Sequence, residues 1–121
     1  MCHGSSGAGG SKISWRSAGT LWVRNITSDQ QTGIGSWSEY QIARAIRSGV
    51  SKDGRQLHWQ GMIWDHLSNL DEEDIRALAA YLKALPPVKR MIPPPTPPSS
   101  ADCEVYSFFP SVQDPPRPGC D

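Results

Sequence analysis

A chain of 121 residues is long enough for one small domain. Its 12 Lys/Arg balance 12 Asp/Glu, which argues against a nucleic-acid binder, and no run is apolar enough to cross a bilayer. Apolar content is modest, Pro and Gly number 11 each, and five Trp stand out. A small domain with so few aliphatic residues struggles to build a core unaided, and a flat macrocycle packed against aromatic rings would solve that problem. The charge is uneven. Residues 1–60 carry seven Lys/Arg against three Asp/Glu, and residues 61–121 five against nine. Such asymmetry could steer a protein partner, although incidental solvated surface is its commoner meaning.

The chain opens on Met1-Cys2-His3-Gly4, the right-hand part of C-x-x-C-H, the haem c attachment signature. There, two thiols add across the haem vinyl groups and the following His binds iron. Cys2 would be the second cysteine and His3 the iron ligand. The first cysteine would fall before Met1, so the natural protein is expected to extend further upstream. No signal peptide is visible. The cysteines at 2, 103 and 120 are not at a metal-finger spacing.

Residues 4–14 are small and flexible, read either as linker or as glycines that let the backbone turn tightly away from a bound ligand. Trp15 and the run Leu21-Trp22-Val23 follow, then Asn25-Ile26-Thr27 and the turn-rich 31–35. Asn25-Ile26-Thr27 matches a glycosylation acceptor pattern, but loop side chains bonding backbone is the preferred reading. A helix is expected over about 37–48, with Ser36/Glu39 and Ser38/Gln41 as rival capping boxes. Its apolar stripe is Ile42, Ala45 and Ile46, and Gly49 is its C-cap. Residues 55–67 fit neither period and carry Met62 between Trp59 and Trp64, a loop suited to ligand contact. A second helix spans about 72–84, capped by Asp71 and loaded with Glu72, Glu73 and Asp74 in its first turn. Its buried stripe is Ile75, Leu78, Ala79, Leu82 and Leu85, and Pro86-Pro87 stop it. Residues 93–98 hold five prolines, a polyproline-like spacer. In the tail, Cys103 and Cys120 could close a disulfide in an oxidising compartment.

A low-spin electron-transfer haem needs two strong axial ligands, and a His/Met pair raises the potential. With His3 as one ligand, Met62, His58, His66 and Met91 are the choices for the other. Met91 lies beyond the helix stop, and a second His would lower the potential. Met62 is favoured because it sits between two indoles and follows Gly61, which permits close backbone approach. The competing reading makes it an ordinary gap filler in an aromatic core.

Met-Cys-His-Gly, Asn25-Ile-Thr with Thr32-Gly-Ile-Gly-Ser-Trp-Ser38, Arg44-Ala-Ile-Arg-Ser-Gly-Val50, Asp53-Gly-Arg55 and Asp71 through Pro87 together resemble a known family. It is the class I c-type cytochrome domain found in cytochrome subunits of bacterial membrane-bound alcohol, gluconate and related dehydrogenases. The resemblance covers residues 1 to about 90. It implies an all-α fold, a small helical domain with long loops, in which an N-terminal helix beginning at the haem motif or before it crosses the helix at 72–84. A Pro-rich irregular tail over 91–121 would follow. It implies haem c joined through Cys2, with His3 proximal, Met62 distal and the Asn25 loop lining the haem cleft. The family often has a proline beside the distal ligand, where this chain has Gly61 and Ile63.

The expected function is therefore a periplasm-facing electron carrier, not an enzyme. It would take electrons from a dehydrogenase or sister haem and pass them towards a quinone or terminal oxidase. Arg44, Arg47, Lys52 and Arg55 form a conceivable docking patch, with a solvated helix face as the blander reading. The alternatives are a haem peroxidase-like enzyme with an open iron site, and a haem-free helical module whose proline tail engages a partner.

Overall fold

The structure, a computed structural model, describes residues 2–15 and 19–97; Cys103, Cys120 and the aromatic tail lie outside them. Two short strands, β1 (Lys12–Trp15) and β2 (Gly19–Trp22), precede three helices, α1 (Glu39–Ser48), α2 (Trp64–Leu67) and α3 (Glu72–Ala84).

The two long helices form where local chemistry specifies them. At the start of α1 the Ser38/Gln41 box forms: Gln41 N–H donates to Ser38 Oγ at 3.1 Å and Ser38 N–H to Gln41 Oε1 at 3.0 Å. Two otherwise orphaned donors are thereby satisfied. At its other end Gly49 takes a left-handed φ of 65° and donates to Ala45 O at 3.1 Å. A Cβ there would come within 2.5 Å of the Trp64 ring. α3 is capped by Asp71, whose carboxylate accepts from Asp74 N–H at 2.9 Å. It stops at Leu85, whose extended backbone (φ −60°, ψ 141°) is what a residue before proline prefers.

The main core lies where α1 crosses α3. Ile42 and Ile46 of α1 meet Ile75 and Ala79 of α3, with Ile34 from the preceding loop, and Met62, Leu67 and Leu70 pack around them. Burial of each such isoleucine is worth about 1.5–3 kcal/mol. Leu78, expected in the α3 stripe, is instead exposed.

The all-α expectation needs correction, because β1 and β2 pair antiparallel in the register Ile13↔Leu21 and Ser14↔Thr20. The segments Lys-Ile-Ser-Trp and Gly-Thr-Leu-Trp are rich in β-branched and aromatic residues, which suit a pleated, half-buried surface. Ile13 and Val23 bury together on one face with Leu21 beside them. A 3.0 Å bond between the Ser14 and Thr20 hydroxyls is buried. The implied helix beginning at the haem motif likewise has no counterpart among the described residues. Cys2–Ser6 form turns, and the stretch to Gly10 holds four glycines and no apolar stripe that a helix could bury.

Beyond α3 the chain doubles back and is stitched to residues 20–32. Val88 N–H donates to Thr27 Oγ1 at 3.1 Å and Arg90 N–H to Thr32 Oγ1 at 2.9 Å. Thr20 and Thr96 exchange backbone bonds at 3.1 and 2.9 Å, so residues 91–97 run along the hairpin. Gly49→Ala should destabilise the domain by about 1–2 kcal/mol for the left-handed backbone alone. The clash with Trp64 adds to that cost, and chemical denaturation would measure the sum.

Candidate functional site

A cavity of about 630 Å³ opens between these elements, within the range of small-molecule and cofactor sites. The hairpin side contributes Ile13, Leu21, Trp22 and Val23. α1 contributes Ile42, Ala45 and Ile46, and the loops add Ile34, Trp37, Leu57 and Met62. Among the described residues, three cations, Arg24, Lys52 and Arg55, share its lining with one carboxylate, that of Asp53.

His3 lines this cavity from the N-terminal turn. Its Nδ1 lies 2.8 Å from the carbonyl oxygen of Arg24. A carbonyl only accepts, so Nδ1 carries the proton and Nε2 keeps its lone pair. Burial lowers the His3 pKa, partly offset by the bond to Arg24. The ring therefore stays neutral at neutral pH, the form in which imidazole binds a metal. The turn is tightened by Gly9, whose N–H donates to His3 O at 3.0 Å. With φ 66°, a Cβ at Gly9 would stand 2.4 Å from the carbonyl oxygens of Val23 and Arg24. Only glycine allows this approach.

Met62 reaches the same cavity from the loop between α1 and α2, half-buried against the main core. Gly61 N–H and Met62 N–H both donate to His58 O at 2.9 Å. The Trp64 indole N–H holds Leu57 O at 3.1 Å, which fixes the loop against α2. Of the rival ligands, His58 also lines the cavity, whereas His66 and Met91 do not. His66 pairs with Asp65 at 3.2 Å, and Met91 is 78% exposed. Cys2 is an exposed free thiol outside the cavity lining, next in sequence to His3.

The cytochrome c family model matches residues 1–86. The chain belongs to the cytochrome c family. Its cofactor is haem c and its chemistry is one-electron transfer at the haem iron, with the protein as carrier. A nicotinate dehydrogenase subunit of Pseudomonas putida is 39% identical over 97 residues, 77% of this chain and 8% of that protein. The cytochrome c subunit of quinone alcohol dehydrogenase from Gluconacetobacter polyoxogenes is 39% identical over 79 residues, 65% of this chain and 16% of that one. The fructose dehydrogenase cytochrome subunit of Gluconobacter japonicus is 37% identical over 75 residues, 62% of this chain and 15% of that one. The chain thus spans a small part of these relatives.

The cytochrome cavity suits its macrocycle. Apolar walls match the flat faces, the lining holds an imidazole and a thioether, which are donor types that would suit iron, and the excess of cations suits a group bearing carboxylates.

Asn25 lines the cavity, but its amide is turned to the protein. Nδ2 donates to Val88 O at 2.8 Å and Thr32 Oγ1 at 3.1 Å, while Oδ1 accepts from Thr27 N–H at 3.0 Å and Thr27 Oγ1 at 2.8 Å. Asn25 and Thr27 are 3% and 0% exposed, so this clasp holds the cavity wall from behind. Arg44 and Arg47 of the conceivable docking patch are also occupied. Arg44 donates to Ser51 O at 2.6 Å, and Arg47 to Leu70 O at 3.3 Å and Glu72 at 3.3 Å.

Sequence reading missed Arg24, which offers its carbonyl to His3 and its guanidinium to Ile92 O at 3.3 Å and Pro93 O at 2.9 Å. Burial, then the nearby Arg55 cation, lower its pKa. No local pattern marks it, because its partners lie 21, 68 and 69 residues away.

Asn25→Ala should cost about 2–3 kcal/mol in chemical denaturation, because it strands buried groups of Thr27 and Val88. Asp29 accepts from Thr32 Oγ1, Thr32 N–H and Gln31 N–H, bonds that hold its pKa below the ordinary 3.8. Its stabilisation is therefore complete above that pH and is lost as pH falls through the lower folded value. The stability gap between the native chain and Asp29→Asn should be open at pH 6 and close in acid. A gap unchanged down to pH 2 would contradict this role.

Proposed function

We propose that Cys2, as a thioether, and His3 Nε2 and Met62 Sδ, as iron ligands, would hold haem c in this domain. It would serve as the electron-carrying module of a bacterial dehydrogenase complex facing the periplasm. The observation that carries the ligand reading is the meeting of two separate chain segments in one apolar cavity. One brings an imidazole with a fixed tautomer and the other a thioether sulfur. The dehydrogenase setting is supported by the names of the three relatives above, subunits of nicotinate, alcohol and fructose dehydrogenases.

When bound, haem c supplies an iron that changes oxidation state by one electron. The chain's part is to keep that change small in structure and favourable in energy. Arg24 O holds the His3 ring in one tautomer and orientation, the usual device for a ligating imidazole. The loop bonds to His58 O fix the backbone that carries Met62. The aliphatic walls exclude water, which raises the potential. No helix of the described residues is long and apolar enough to cross a membrane, so attachment to a complex at a membrane would rest on partner subunits or on other segments.

Absorbance spectra of the haem-loaded protein, oxidised and reduced, test the assignment. The native protein should be low-spin in both states and slow to take up cyanide. Met62→Ala should open the iron to cyanide at once. Met62→His should stay low-spin with a potential lower by on the order of 0.1 V or more, within the ~0.8 V that axial ligands span. A native protein that binds cyanide immediately, or a Met62→Ala variant with an unchanged spectrum, would overturn the Met62 assignment.

A further inference from the structure

The segment 91–97 has a sequence that builds neither helix nor sheet by itself, yet it forms part of the cavity. Ile92 is 8% exposed, and Pro95 lines the cavity with Ile13, Leu21 and Trp22. In Pro93-Pro-Pro-Thr-Pro97 only Thr96 has a backbone N–H. That one donor goes to Thr20 O at 2.9 Å, and Thr20 N–H returns to Thr96 O at 3.1 Å. The neighbouring carbonyls of Ile92 and Pro93 are both taken by Arg24 Nη1. A proline run is already extended, so little entropy is lost when it docks. A few bonds are enough to hold it, and losing a few is enough to release it.

Arg24 stands at the joint. Its guanidinium grips the strap while its carbonyl accepts the hydrogen bond from His3 Nδ1. Next to it, Val23 N–H donates to Ser11 O at 2.9 Å and Val23 O accepts from Gly10 N–H at 2.8 Å. Residues 23–24 are therefore fixed on one side to the turn carrying His3 and on the other to the strap.

We propose that Arg24 is a positioning residue that couples docking of the 91–97 strap to the seating of the His3 imidazole, so that the strap governs water access to the haem and with it the reduction potential. This rests on the ligand assignment above. With the strap docked, Pro95 stands at the hairpin side of the cavity and keeps water from it, while Ile92, outside the lining, is buried and anchors the strap. Undocking admits water, which favours the more highly charged oxidised iron and lowers the potential. It also removes the guanidinium's anchors, so that the Arg24 backbone and the imidazole bonded to it are held less firmly.

The experiment uses the full haem-loaded chain, three single variants and the Arg24→Ala/Thr96→Pro double variant, read by reduction potential and by hydrogen exchange at the Thr20 amide. Arg24→Ala removes both strap bonds and a positive charge. Thr96→Pro removes the one N–H donor of residues 93–97 and leaves every charge in place. Arg24→Lys keeps the charge but loses the planar fork. Loss of two charge-assisted bonds should speed Thr20 exchange by about tenfold or more in Arg24→Ala. Thr96→Pro should also speed it, lower the potential in the same direction, and be less than additive with Arg24→Ala. Arg24→Lys should restore the potential only in part. If Arg24→Lys restores the potential fully while Thr96→Pro leaves it unchanged, Arg24 acts by charge alone and the coupling is refuted. A native protein without a low-spin His/Met spectrum overturns the ligand assignment and this inference with it. A native protein with that spectrum, whose Thr20 exchange and potential ignore Thr96→Pro, overturns this inference only.

Discussion

The hydrogen bond from His3 Nδ1 to the carbonyl of Arg24 is the contact on which the site turns. Without it the imidazole of a short N-terminal turn would sample both tautomers and many orientations. With it, one nitrogen is committed to the protein and the other is left for a metal. The bond needs Arg24 to be held in place, and that requirement runs outward through the fold. β2 leads into residues 23–24, the hairpin register fixes β2, and the returning chain fixes the other side of the same segment. Gly9 lets the turn come close enough for the bond to form.

Two kinds of cohesion support this arrangement. The crossing of α1 and α3 is hydrophobic and compact, built on Ile42, Ile46, Ile75 and Ala79. The other half of the cavity depends on polar stitching. Asn25, Thr27 and Thr32 hold residues 88–90, Ser28 Oγ donates to Leu85 O, and Lys83 Nζ ties α3 to the carbonyls of Gly35 and Trp37 at 2.8 Å each. An aliphatic-poor chain can in this way close a large cavity without a large core. The cofactor then adds apolar contact area that the sequence itself lacks.

How much of this was legible follows from how far each determinant lies along the chain. α3 was readable because Asp71, the acidic first turn and Pro86 are all local signals. α1 was readable apart from its first residues, where two overlapping capping boxes competed and Ser38/Gln41 formed. The hairpin was missed because its strands are four residues each, too short for alternation to stand out beside a glycine-rich stretch. The strap was read as a spacer because proline runs usually are, and its bonds to Arg24 and Thr20 cross 68 to 76 residues of sequence. His3 was marked by its motif and Met62 by its flanking indoles and glycine. Asn25 was placed at the cavity with its side chain bonding backbone, but its distant partner was not visible, since Val88 lies 63 residues away. Leu78 shows the limit of periodicity: the stripe located α3's inner face but not how much of it α1 covers.

The most direct test of the central claim is the NMR position of the Met62 methyl in the reduced, haem-loaded protein, with methionine methyls labelled and Met62→Leu used for assignment. A thioether bound to iron sits over the face of the macrocycle, so the ring current should carry that methyl far upfield of an ordinary methionine. A Met62 methyl in the usual methionine range would contradict the account.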